Sequence, residues 1–314
     1  MKENPTISDT VIIGGGPAGY TAGLYAARAG LKALILEKLS PGGQMAMSHK
    51  IDNYPGFPEG IDGFSLAENM EQQALLFGLK SELAEVQSVD LKADPKVLQT
   101  SEGDFYAKTV ILATGAVPRT LGLPEENALV GRGLHYCAAS DGMFFRGKTV
   151  VVVGGGNSAD GEALLLSRVA KKVIVVHRRD TLRAEKIYHT SLMAAENVEF
   201  CWNSEVGRLL HGDKLTGIVI RDRGTGAETE LACDGLFVSV GRRPATDLFA
   251  GQVALDDGGY VIAGESTETS VPGVFAAGDL RTKQVRQVVT AVADGAVAVH
   301  GVESYLAKYS GKGA

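Results

Sequence analysis

The sequence predicts an α/β protein built from two doubly wound, three-layer domains. Three observations carry this. The chain has 314 residues, more than one ordinary core accommodates and about right for two domains of ~150 residues. It opens with an apolar strand, a glycine-rich turn, a helical stretch and a second apolar strand. The same unit then returns, Gly154 following Gly14 by 140 residues. That distance is far too long for a repeat array, so it marks two separate domains of the Rossmann-like, dinucleotide-binding kind.

In the first unit, Thr10-Val11-Ile12-Ile13 is the strand, and Tyr20 to Ala29 reads as a helix that stops at Gly30. Ala33-Leu34-Ile35-Leu36 is the second strand and ends at Glu37. Continuous apolar runs of this length are the mark of parallel strands buried on both faces. Between them lies Gly14-Gly15-Gly16-Pro17-Ala18-Gly19. Gly14 permits the sharp turn, Gly16 lets a pyrophosphate approach the backbone, and Gly19 lets helix and strand pack closely. Pro17 falls where a helix's first turn tolerates a missing N–H, and the helix N-terminus favours phosphate. Glu37, at the end of the second strand, is placed to accept a ribose hydroxyl.

The second unit repeats the grammar. Val150 to Val153 is a strand, Gly154-Gly155-Gly156-Asn157-Ser158-Ala159 the turn, residues 160–170 a helix and Val173 to Val176 the next strand. Ala159 in the third position is allowed. Here the strand ends in His177-Arg178-Arg179, with Arg183 close behind, and no acid stands where Glu37 stands in the first unit. Guanidinium groups at this position bind a 2′-phosphate through charge-assisted hydrogen bonds, so the second site is expected to take NADPH. The alternative is a solvated basic strand end. Two dinucleotide sites in one chain suggest a tightly held flavin that receives hydride and an exchanging nicotinamide that delivers it.

Between and after the two units, Ile111-Leu112-Ala113-Thr114-Gly115 is a strand running into a tight turn, and Val274 to Ala277 runs likewise into Gly278-Asp279. Val117-Pro118-Arg119 and Gly241-Arg242-Arg243-Pro244 break the pattern and read as linkers. A last helical stretch spans Gln287 to Tyr305.

Bulk composition narrows the function classes. Hydrophobic residues at 45% and charged residues at 22% are ordinary for a soluble globular protein. The 40 glycines, nearly double the usual ~7%, cluster at turns around an expected ligand. A net charge of −6 without a basic block argues against nucleic acid. No apolar run approaches a membrane span, and the polar first ten residues do not form a secretory leader. Three cysteines, Cys137, Cys201 and Cys233, form no disulfide framework and fit a reducing cytoplasm. Cys201 and Cys233 are expected to be inert packed residues. None of the six histidines is spaced with cysteines or acids as a metal ligand, so no metal site is expected.

Tyr136-Cys137-Ala138-Ala139-Ser140-Asp141-Gly142 completes the set. Together with Gly14–Gly19, Gly42-Gly43-Gln44, Ala113-Thr114-Gly115, Gly154–Ala159, His177-Arg178-Arg179, Gly278-Asp279 and Arg286-Gln287, it makes the chain resemble the low-molecular-weight thioredoxin reductases over essentially its whole length. The resemblance implies an NADPH domain, residues 118–244, carrying the redox motif and inserted into a discontinuous FAD domain of residues 1–117 and 245–314. It implies that Gly14, Gly16, Pro17, Ala18, Gly19, Glu37, Gly43, Gln44, Asn53, Thr114, Gly115, Gly278, Asp279, Arg286 and Gln287 line FAD. It likewise places Gly154, Gly156, Asn157, Ser158, Ala159, His177, Arg178, Arg179 and Arg183 around NADPH. It further implies a homodimer, a thioredoxin or thioredoxin-like partner, and a rotation that alternately presents nicotinamide and the redox pair to the flavin.

The chain departs from the family at Ser140, where the pattern has the cysteine nearer the flavin. Electron transfer to a disulfide needs two thiols, and a serine hydroxyl is a far weaker acid and nucleophile that forms no disulfide. Cys137 alone makes a mixed disulfide without a partner to resolve it. Asp141 is the acid–base candidate by resemblance, with a helix cap as its alternative role. Ser140 arises either by an engineered Cys→Ser change or in a natural variant with another electron acceptor. The expected activity is thioredoxin-disulfide reduction, impaired in turnover. The alternatives are an NADPH-dependent flavin reductase or oxidase that passes electrons directly from flavin, and a redox protein that captures a partner through Cys137.

Overall fold

The structure is a computed structural model that describes residues 6–48, 50–182 and 186–310. The chain divides into two compact units, Met1–Val117 with Arg243–Ala314, and Pro118–Arg242. It runs β1 (Ile7–Ile13), α1 (Pro17–Arg28), β2 (Ala33–Glu37), α2 (Gly63–Leu76), β3 (Lys80–Leu83), β4 (Val86–Asp90), β5 (Lys96–Thr100), β6 (Gly103–Leu112) and β7 (Ala116–Pro118). The second unit follows with α3 (Glu126–Leu129), β8 (Leu134–His135), α4 (Ala138–Asp141), β9 (Thr149–Gly154), α5 (Asn157–Ser167), β10 (Lys172–Val176), α6 (Lys186–Met193) and β11 (Val198–Cys201). It continues through β12 (Ser204–His211), β13 (Leu215–Asp222), β14 (Glu228–Ala232) and β15 (Gly235–Ser239). The chain then returns by β16 (Arg242–Pro244) to β17 (Val274–Ala276) and α7 (Val288–Ser310).

In the first unit, β3-β2-β1-β6 are parallel, and β6 carries β17 parallel along its C-terminal part and β5 antiparallel along its N-terminal part. Period-two alternation sends side chains to both faces. Val11, Ile13, Val110 and Leu112 join one core cluster with Leu98 of β5 and Phe249. Ile12, Ile35 and Ile111 join the other with Ala22 and Ala26 of α1 and Ala298 and Val302 of α7. Full burial of each such aliphatic side chain is worth about 1.5–3 kcal/mol, which makes both faces obligatory. The helices α1 and α7 meet closely because Gly295 lacks a side chain: a Cβ there would lie 2.4 Å from the Ala18 carbonyl oxygen.

The second unit holds a five-stranded sheet, β11-β10-β9-β15-β8, parallel throughout, and a separate antiparallel sheet, β12-β13-β14. Val151 and Val153 pack with Ile218 and Leu236, while Val150 and Val152 pack with Ala163 and Leu166 of α5.

Two local expectations need correction, and a third gains detail. The helices after both glycine turns begin at once, at Pro17 and Asn157, several residues before the apolar pattern starts. Their first turns are buried through small residues, Ala18 and Gly19 in one and Ala159 in the other, which carry no strong apolar period. The last helix runs further than Tyr305, to Ser310. The segments read as linkers around Pro118 and Pro244 do lie at the boundaries between the two units, and they take the form of the short strands β7 and β16, each ending in its proline and together forming a two-stranded sheet.

Candidate active site

Register brings the first set of residues to one level. Ile13 pairs with Leu36 and Leu112, and Leu112 pairs with Ala276, so the turns after β1, β2, β6 and β17 leave the sheet side by side at its C-terminal edge. This is where open α/β sheets bind ligands. Gly14 has φ +106°, and a Cβ on it would lie 2.6 Å from the Ala113 carbonyl oxygen. A Cβ on Gly19 would lie 1.9 Å from the Gly14 oxygen. Beside Gly16, by contrast, nothing lies within 4 Å of the Cβ position. Two glycines are therefore forced by packing, and the third leaves an open approach at the start of α1. That helix has Pro17 in its first turn and no side-chain cap on its N-terminus, as an anion site requires.

The neighbouring loops close on this turn. Glu37 Oε2 accepts from Gly15 N–H at 2.6 Å, while its Oε1 accepts from Lys38 and Leu39 N–H at 2.9 and 3.1 Å. The Gly42 N–H donates to the Gly15 carbonyl at 2.7 Å, bringing Gly43 and Gln44 alongside. Thr114 Oγ1 donates to the Ala245 carbonyl at 2.6 Å and fixes the turn before Gly115. Asn53 Nδ2 donates to Gln287 Oε1 at 3.1 Å. Arg286 donates to the Asp279 carbonyl at 3.3 Å and lies 4.1 Å above the Tyr260 ring. Gly278 is held by its N–H donating to Asp294 Oδ2 at 2.9 Å, and Asp294 also takes Arg281 and Lys283 at 2.6 and 2.8 Å. Burial alone would raise the Asp294 pKa. The two cations and the Gly278 N–H outweigh it and hold the carboxyl below the ordinary carboxylate range.

The second unit repeats the geometry. Val153 pairs with Val176 and Val238, which sets the ends of β9, β10 and β15 level. A Cβ on Gly154 would lie 2.4 Å from the Ser239 oxygen and 2.6 Å from Ala159 Cβ, so alanine fits the third position only because Gly154 has no side chain. Gly156 again faces open space, at the uncapped start of α5 where Asn157 and Ser158 follow. His177 occupies the place that Glu37 holds in the first unit: a Cβ on Gly155 would meet its ring at 2.4 Å, as Gly15 meets Glu37. His177 is buried, and Arg178 and Arg179 are exposed with no carboxylate partner among the described residues. Arg183 lies outside the described residues.

The redox motif starts where β8 ends, on the same parallel sheet. Cys137 is half-buried and unpaired, and α4 is a single turn beginning at Ala138. Ser140 Oγ donates to the Cys137 carbonyl at 3.1 Å. Two groups that sequence reading missed hold this turn. Glu162, on α5 directly after the glycine loop, accepts from Ala138 N–H at 3.3 Å and from the Ser239 hydroxyl. His135 Nδ1 lies 2.8 Å from Asp141 Oδ2, with its ring stacked on Phe237 and edge-on to Phe145. Asp141 makes no capping bond, so its alternative role as a helix cap does not apply. Neither partner has a motif of its own. His135 lies two residues before Cys137 in the short strand β8, while Glu162 stands on a helix face 24 residues from Ala138 and reaches the turn only through the fold.

Burial pushes the Glu162 carboxyl from its ordinary value of 4.5 up to about 7, outweighing the two donors that favour the anion. A carboxyl with a raised folded-state pKa contributes stability that is full below pH 4.5 and lost as pH rises through about 7. Glu162→Gln should therefore gain on the parent chain across this window, by about 3 kcal/mol between its ends, read as urea midpoints at pH 4.5 and 8. A difference that stays constant with pH would refute the shifted carboxyl. The remaining cysteines are set apart: burial pushes the Cys233 thiol up to about 12 and raises Cys201 as well, which suppresses both thiolates. Among the described residues no cluster of three or more His, Cys, Asp or Glu is arranged to hold a metal.

Two nucleotide cradles and a cysteine turn on one α/β framework define a flavoprotein disulfide reductase that uses a pyridine nucleotide. Residues 8–295 match the family described as pyridine nucleotide-disulphide oxidoreductase. A thioredoxin reductase from Streptomyces clavuligerus is 48% identical over 304 residues, covering 96% of this chain and 94% of that protein. The crystal structure of thioredoxin reductase from Streptococcus pyogenes superposes with a TM-score of 0.90 at 43% identity, over 97% of this chain and all of the other. A protein named bifunctional thioredoxin reductase/thioredoxin, from Mycobacterium leprae, is 44% identical over 98% of this chain and 67% of its own length. The chain belongs to the pyridine nucleotide-disulphide oxidoreductases and, within them, to the low-molecular-weight thioredoxin reductase family, whose cofactors are FAD and NADPH. No helix among the described residues is long and apolar enough to cross a membrane.

Proposed function

We propose that this chain is a thioredoxin-disulfide reductase whose redox step is impaired at Ser140. The observation that carries this reading is Glu162. It ties the Cys137–Ser140 turn to the helix that starts at the second glycine loop, so the thiol and the nucleotide cradle belong to one rigid piece. Bound NADPH would supply hydride and bound FAD would accept it. Gly14, Gly16, Gly19 and the start of α1 would hold the FAD pyrophosphate, with Glu37 at its ribose. Gly154, Gly156 and the start of α5 would hold the NADPH pyrophosphate, with Arg178 and Arg179 at the 2′-phosphate. On this reading residues 1–117 with 245–314 form the FAD domain and 118–244 the NADPH domain, and the protein works as a cytoplasmic homodimer.

The protein's own chemistry is at Cys137. Its thiolate attacks one sulfur of the partner's disulfide, a mixed disulfide forms, and the partner's other sulfur leaves as a thiolate. Asp141, oriented by His135, is the acid–base candidate beside Cys137. The Ser140 hydroxyl cannot displace the partner. Release requires the partner's own second thiolate to attack back, which restores the starting species without net reduction. The relative whose name joins reductase and thioredoxin supports a thioredoxin as partner.

This is tested with a thioredoxin lacking its second cysteine, supplied as an activated mixed disulfide. The chain should form a covalent complex that dithiothreitol dissolves and that Cys137→Ser abolishes. A complex that forms equally with Cys137→Ser would refute the assignment. Ser140 itself favours one second reading, in which electrons pass from the flavin directly to oxygen, a quinone or a small carrier.

A further inference from the structure

The strand-end loop His177-Arg178-Arg179 has all three of its backbone oxygens taken by the segments that flank the antiparallel sheet. Ser204 N–H donates to the His177 carbonyl at 3.0 Å, and Asn203 N–H donates to the Arg179 carbonyl at 3.0 Å. Asn203 reaches it from a left-handed conformation, φ 50°, which asparagine tolerates better than most residues. The Arg178 carbonyl is different, because its donor is a side chain: Arg223 Nη1, at 3.2 Å. The Arg223 backbone in turn donates to the Asn203 carbonyl at 2.8 Å, which links Arg223 to the whole loop. Trp202 adds an edge-on contact to His177 at 6.3 Å.

Carbonyl oxygens are the negative ends of peptide dipoles and oppose an anion. With all three engaged by donors, the loop presents two exposed guanidinium groups and three compensated oxygens. We propose that Arg223 is a positioning residue for recognition of a 2′-phosphate monoester: by fixing the Arg178 carbonyl it sets the direction in which Arg178 and Arg179 project. The inference rests on the reading of the second cradle as an NADPH site. Glu205 does not cancel this role, since its close partner is Arg221 at 2.6 Å and it stands 3.6 Å from Arg223.

The test uses the FAD-loaded full chain and two probes, adenosine 2′,5′-bisphosphate and 5′-AMP, titrated calorimetrically. Arg223→Ala should weaken the bisphosphate about tenfold, the worth of one hydrogen bond from a charged donor, and leave 5′-AMP within about twofold. Arg223→Lys, which keeps a donor for the carbonyl, should recover most of the loss. Arg221→Ala removes an equal charge two residues away and should change neither probe by more than about twofold at 0.15 M salt. Equal losses for both probes, equal effects of Arg221→Ala and Arg223→Ala, or no effect of Arg223→Ala would each overturn the proposal. A parent chain that does not prefer the bisphosphate over 5′-AMP would overturn the NADPH reading itself, and this inference with it.

Discussion

Ser140→Cys should raise steady-state reduction of a thioredoxin disulfide by NADPH on the order of 10³-fold or more, the scale on which removal of an essential nucleophile acts. The substitution adds one sulfur in a turn whose geometry is already held. Glu162 fixes Ala138, His135 fixes Asp141, and the Ser140 hydroxyl already faces the Cys137 carbonyl side of the turn. Bleaching of the flavin band by NADPH uses no sulfur and should be the same in both chains. Stopped-flow bleaching and steady-state thioredoxin turnover, measured side by side, separate the two half-reactions. Similar turnover in both chains would mean that the two-thiol mechanism does not operate, and direct transfer from the flavin would then be the better reading.

The double substitution Arg178→Ala, Arg179→Ala should weaken NADPH binding about 10²-fold or more, with NADH changed by less than about threefold. Each charge-assisted hydrogen bond is worth about 1.5–3 kcal/mol, and a phosphate facing two exposed guanidinium groups loses at least two of them. Both arginines lie beyond the end of β10, away from the packed core, so thermal stability should hold. The measurement is the dependence of the flavin bleaching rate on each nucleotide's concentration. Equal losses for NADPH and NADH would show that these side chains do not read the 2′-phosphate.

How much of this was legible beforehand depends on the physics of each element. The strands were plain because both faces are buried, so Val11 to Ile13 and Val150 to Val153 carry apolar side chains without interruption. The glycines were plain because each answers a local steric demand, as the 1.9 Å clash awaiting a Cβ on Gly19 shows. Helix starts are harder to read, since the first turns of α1 and α5 pack through small residues such as Ala18, Gly19 and Ala159 and display no strong apolar period. The strands at Pro118 and Pro244 were hidden because two three-residue elements leave no periodicity to read.

Sequence alone determined the two glycine-turn cradles and their order, because each is written in contiguous residues whose chemistry acts locally. Tertiary structure decided what surrounds the thiol and the basic loop. Glu162 lies 24 residues from Ala138, and Arg223 lies 45 residues from Arg178. Strand order, not chain order, brings these pairs together: β8 and β9 end at the same edge although β15 stands between them, and the antiparallel sheet arrives at the end of β10 from further along the chain. A buried carboxyl held beside the cysteine turn and an arginine donating to a backbone oxygen are properties of such meetings, and a linear pattern holds no trace of them.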